Sequence, residues 1–89
     1  SGEVETWLQA ADRKLQDLQD KAGDLQGEAR QAMDRQIQNL REQRQKVAND
    51  LAELRSASGD AWKDLRAGLQ SAMEDLDRAI EKAGAELRS

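Results

Sequence analysis

Asp20, Asp24 and Glu28 fall four residues apart and would line one edge of a helix. Carboxylates at that spacing offer the oxygen ligands that a hard divalent cation takes. Water satisfies the same three side chains without any ion, and a solvated face is the simpler reading. Further along stand five bases, Arg30, Arg35, Arg41, Arg44 and Lys46, against only Asp34 and Glu42. Such a strip attracts phosphate, but the stretch holds no aromatic ring on which a base could stack. Gly23-x-x-x-Gly27 has the spacing of a membrane helix dimer, yet its neighbours Asp24, Gln26 and Glu28 do not suit hydrocarbon.

Covalent and acid–base chemistry need a nucleophile beside a base, or two carboxylates whose environments differ. The chain has no His and no Cys, and its serines sit at the two ends, around residue 57 and at position 71. Its acids are spread over faces that any helical reading leaves in water. No glycine-rich phosphate loop follows a strand, because no segment alternates as a strand does. The expectation is a protein that is not an enzyme, with no cofactor, no metal, no nucleic-acid partner and no small-molecule substrate.

The elements that carry these residues are helices. Apolar side chains recur at steps of three and four: Val4, Leu8, Ala11, Leu15, Leu18, Ala22, Leu25, Ala29, Met33, Ile37, Leu40, then Val47, Leu51 and Leu54. The series resumes after Ser58 through Leu65, Leu69, Leu76, Ile80 and Leu87. Alternating steps of four and three make the first part a heptad seam. Steps of four from Leu25 to Ile37 relax its supercoil. There is no Pro, Phe or Tyr, and 36% of the 89 residues are charged, with a net charge of −4. That is the composition of coiled coils. Ser1-Gly2 has the form of a pair left by a cleaved tag. No apolar run is long enough to span a membrane and no secretory pattern opens the sequence, so a cytoplasmic protein is expected.

Ser56 to Asp60 holds the clearest break. Gly59 suits a left-handed helix end, Asp60 suits an N-cap, and Ala61-Trp62 follow as a first turn. The sequence therefore predicts one helical unit over 1–89: a helix over 4–57, a turn within 56–60 and a helix over 60–88. Folded there, the seams meet as Leu54 with Trp62, Leu51 with Leu65, Val47 with Leu69, Leu40 with Leu76, and Met33 with Ala83. Basic residues of 30–42 then lie beside acidic residues of 74–86, which favours the antiparallel hairpin. Asp17–Lys21, Glu42–Lys46 and Glu74–Arg78 have the spacing of helical ion pairs. Gly23 and Gly27 read as glycines tolerated within the first helix. Arg44 falls on the seam opposite Ala72, either with its head reaching water or as a layer that fixes register.

A first helix of roughly 80 Å outruns a second of roughly 43 Å. Val4, Leu8, Ala11, Leu15, Leu18, Ala22 and Leu25 are then left as a bare stripe, nearly palindromic about Leu15. The expected self-association interface is this stripe, paired antiparallel in a homodimer. The alternative is a chain that bends between Gly23 and Gly27 into a spectrin-like three-helix bundle.

The segment LAELRSASGDAWKDLRAGLQSAMEDL, residues 51–76, resembles small bacterial coiled-coil proteins of unknown function, some described as stress-response proteins. RQIQNLREQRQKVANDL resembles their middle segment, and Met73 stands where such sequences often carry an aromatic. The resemblance implies a helical, cytoplasmic bacterial protein linked to stress, and it brings no catalytic residues. The function expected is a coiled-coil scaffold or interaction protein. The alternative is an amphipathic protein whose stretch from Ala61 to Ile80 lies on a membrane surface or an exposed apolar patch.

Overall fold

The structure, a computed structural model, describes residues 2–89. Ser1, the first residue of the tag-like pair, lies outside them. Three helices follow one another: α1 (Gly2–Ala22), α2 (Gly27–Ser56) and α3 (Gly59–Arg88). Each opens with acid in its first turn and closes with base in its last, matching the helix dipole: Glu3, Glu5 and Lys21 in α1, Glu28 and Arg55 in α2, Asp60 and Arg88 in α3. They run up, down and up as an all-α bundle whose Cα envelope measures 50 × 20 × 17 Å. The radius of gyration, 14.9 Å, exceeds the roughly 12 Å of a round domain of this length, as expected of side-by-side helices.

The core is built of two layers. In the larger, Ala11, Leu15, Leu18 and Ala22 of α1 meet Met33, Ile37 and Leu40 of α2 and Leu76, Ile80 and Ala83 of α3. The smaller holds Leu8, Val47, Leu51 and Leu69 near the second turn. Trp7 packs against both. Leu15, Ile37, Leu76 and Val47 are fully enclosed. Burying a Leu stabilises by roughly 1.5–3 kcal/mol before entropy is charged. Closing α1 onto its own chain gains this at several positions.

The helix expected over 4–57 is therefore divided. After Ala22 the chain tightens: Gly23 N–H donates to the carbonyls of Gln19 and Asp20, both at 3.2 Å, and Leu25 N–H to that of Ala22 at 3.0 Å. Gln26 is then extended and Gly27 takes φ 62°, a conformation that costs other residues roughly 1–2 kcal/mol. Ala22, Leu25 and Ala29 keep the same step whether the helix continues or reverses, so seam phase does not separate the two. Leu25 turns in against the larger layer, whereas Ala29 is exposed.

The second turn, Ala57-Ser58, lies inside the expected 56–60. It repeats the first: extended Ser58, then Gly59 at φ 62°, then an acid. Gly59 thus starts α3 rather than ending α2, and Asp60 lies in the first turn of α3 rather than capping it. Val47 shares a layer with Leu69, Leu40 with Leu76, and Met33 with Ala83. Leu51 shares its layer with Leu8 and Leu69, while Leu65 belongs to neither layer and Trp62 is exposed.

Charge pairing also differs from expectation. Among the described residues the interhelical salt bridges join α2 to α1, not to α3: Arg55 to Glu5 at 2.8 Å and Arg44 to Asp12 at 2.8 Å. Within helices, Lys46 pairs with Asp50 and Arg78 with Asp75, in place of Glu42 and Glu74. Arg44 does lie at the seam, its side chain 25% exposed. Its Nη2 donates to Asp12 at 3.0 Å. Its Nε, although 2.8 Å from the other Asp12 oxygen, is not aligned to donate and has no hydrogen-bond partner.

Candidate functional site

Asp20 and Glu28 no longer share a helix edge, because the first turn separates them, and Asp20 accepts a hydrogen bond from Gln16 at 3.0 Å. Among the described residues no cluster of three or more His, Cys, Asp or Glu is placed to hold a metal ion. No helix among them is long and apolar enough to cross a membrane. Of the stripe expected to form a self-association interface, Leu8, Ala11, Leu15, Leu18 and Ala22 are buried inside the bundle. Val4 and Leu25 are half-buried against it. The stripe is covered by α2 and α3 of its own chain, and pairing with a second copy through it would require the bundle to open.

The bundle leaves a groove open at the end bearing the second turn. The parallel neighbours α1 and α3 sit close at the far end, where a Cβ on buried Gly84 would lie 3.9 Å from Leu18 Cδ2. Toward the second turn a groove of about 530 Å³ opens, a size typical of ligand clefts. Leu51 and Leu54 come to it from α2, Val4 and Trp7 from α1. From α3 come Trp62, Leu69 and Met73. Leu51 and Leu69 are the buried members of this set, while Trp62 is 39% exposed, the one large apolar side chain so exposed among the described residues.

Polar groups border this apolar lining in a definite order. On α3 the groove face runs Trp62, Arg66, Gln70, Glu74, Asp77, a row made by steps of three and four. The Arg66 guanidinium lies over the Trp62 ring, 5.5 Å from its centroid, in cation–π geometry. At the other end the Trp7 indole N–H points between the two Asp77 oxygens, 3.2 Å from each, and ties α1 to α3. Arg55 is held by Glu5. Arg66, Glu3 and Glu74 make no salt bridge among the described residues. Along the α3 row, charge therefore runs from basic at Arg66 through neutral Gln70 to acidic at Glu74 and Asp77, while Glu3 faces the row from α1.

Sequence reasoning puts Leu54 and Trp62 in the core and misses this row. A signal for it is present: Trp62, Arg66, Gln70 and Glu74 form an i, i+4 line beside the main seam, and its charge changes sign along the way. Comparison with known proteins gave no matching family model, no matching curated protein and no matching solved structure.

Proposed function

We propose that the chain is a non-enzymatic helical interaction protein, a small scaffold whose working surface is the groove at the second-turn end. The observation that carries this reading is Trp62. On a protein this polar, a tryptophan left 39% exposed above an apolar cleft is the kind of anchor around which binding energy concentrates. Val4, Leu51, Leu54, Trp62, Leu69 and Met73 line the groove and charged residues border it, so what it offers a partner is apolar area framed by charge. The family resemblance adds a bacterial, cytoplasmic setting and a role under stress to the proposal. Binding along a membrane surface through α3 is the weaker reading. Leu69, Leu76, Ile80 and Ala83 of that helix are already buried, and lipid would have to displace them from the core.

An environment-sensitive apolar dye tests the reading on dilute protein. The bis-anilinonaphthalene sulfonate should bind at about one site per chain and brighten there. Trp62→Ser should abolish that binding while leaving the helical circular dichroism and its melting unchanged. A wild-type protein that does not brighten the dye contradicts the proposal.

A further inference from the structure

The order of charges along the groove says what fits it. A two-fold axis through the groove at Gln70 would lay a second α3 across the first in the opposite direction. Residues equally far from Gln70 on either side then face each other, so Arg66 of each copy meets Glu74 of the other. Trp62 of each copy then falls opposite position 78 of the other, beside its Asp77 and the Trp7 bonded to it. A parallel arrangement of the two rows would set Arg66 on Arg66 and Glu74 on Glu74. We propose that the occupant of the groove is a second copy of this chain, docked antiparallel about Gln70 to form a two-fold dimer.

Three observations converge on this pairing. Arg66 and Glu74 are exposed and have no salt-bridge partner among the described residues, so both are free to pair between chains. Their spacing is symmetric about Gln70, which lines the groove between them. The apolar lining, Trp62 above all, would lose its exposure in the same contact. An isologous interface needs such self-complementarity, because each patch must accept its own copy. The α3 face from Trp62 to Asp77 is only about 22 Å long, so the interface belongs to the small, transient class and its dissociation constant to about the micromolar range or weaker. Self-pairing rests on the groove being the working surface, the reading proposed above.

Sedimentation equilibrium on the full chain between about 1 µM and 1 mM tests the pairing, using wild type, Arg66→Glu, Glu74→Arg and an equimolar mixture of the two variants. The wild type should dimerise. Each variant alone faces like charge with like twice, which should raise its dissociation constant at least about tenfold. The mixture should recover dimers, because the glutamate introduced at position 66 of one variant then faces the arginine introduced at position 74 of the other. Both sites are exposed, so circular dichroism should report folded variants, and the double variant carrying both changes should dimerise by itself. A wild type monomeric throughout, a dimer indifferent to both changes, or single losses that mixing does not restore would each overturn the pairing. Dye binding to the dilute chain separates the two ideas. Dye bound without dimerisation leaves the groove reading standing and removes the second copy, whereas no dye bound removes the groove reading itself.

Discussion

Leu15 is fully enclosed among side chains of all three helices, and Arg44, on the neighbouring helix, is only partly so. They stand for the two kinds of interior residue in this bundle. Truncating Leu15 to Ala removes buried methyl groups and leaves a cavity, so urea unfolding should show a loss of about 2–5 kcal/mol. Gln38→Ala, on an exposed face, should change stability by less than about 0.5 kcal/mol. Equal effects would mean that the core lies on another face. Arg44 calls for the opposite expectation. Its Nε is buried without an aligned acceptor, and its partner Asp12 is half exposed. Replacing it by Met keeps the stem and removes a poorly satisfied charge, so stability should be unchanged or rise by about 1 kcal/mol. A loss of several kcal/mol in the same unfolding measurement would show that the ion pair holds the α1–α2 register. The position of Arg44 on the seam was legible in the sequence. Its partner was not, because Asp12 comes within reach only once α1 folds back.

At the scale of the helices, the two turns are the same device written twice. Gln26-Gly27-Glu28 and Ser58-Gly59-Asp60 each give an extended residue, a glycine at φ 62° and an acid in the first helical turn. Gly59→Ala forces a Cβ into the left-handed region and should cost about 1–2 kcal/mol. Gly68→Ala, in the middle of α3 where a Cβ meets nothing within 4 Å, should instead stabilise by up to about 1 kcal/mol. Thermal melts of the two variants should therefore shift in opposite directions, and shifts of the same sign would refute the assigned backbone. The second turn was visible in advance because serine, glycine and acid interrupt the seam between Leu54 and Leu65. The first stood only as the alternative bend between Gly23 and Gly27, since Leu25 and Ala29 continue the step from Ala22 as if the helix ran on. What decides between the two is long-range, namely burial of Leu8 through Ala22 against α2 and α3, and no local pattern reports it. The same limit hid the groove, because Trp62 and Leu54 read as a facing core pair until α1 and α3 are seen to part above them.

The whole molecule is a bundle whose buried stripe belongs to its own chain, with an apolar groove at the second-turn end. The competing architecture, a helix of roughly 80 Å paired with another copy through the same stripe, uses the same residues and differs only in which chain covers them. Distance within one chain separates the two. Spin labels at Gln9 and Asn49, both exposed, should be measured by double electron–electron resonance, with the labelled chain diluted into an excess of unlabelled protein so that only intramolecular pairs contribute. Adjacent antiparallel helices have axes about 8–10 Å apart, so the bundle predicts a single short distance distribution below about 25 Å. A distribution centred near 60 Å, the rise of 40 residues of unbroken helix at about 1.5 Å each, would contradict it.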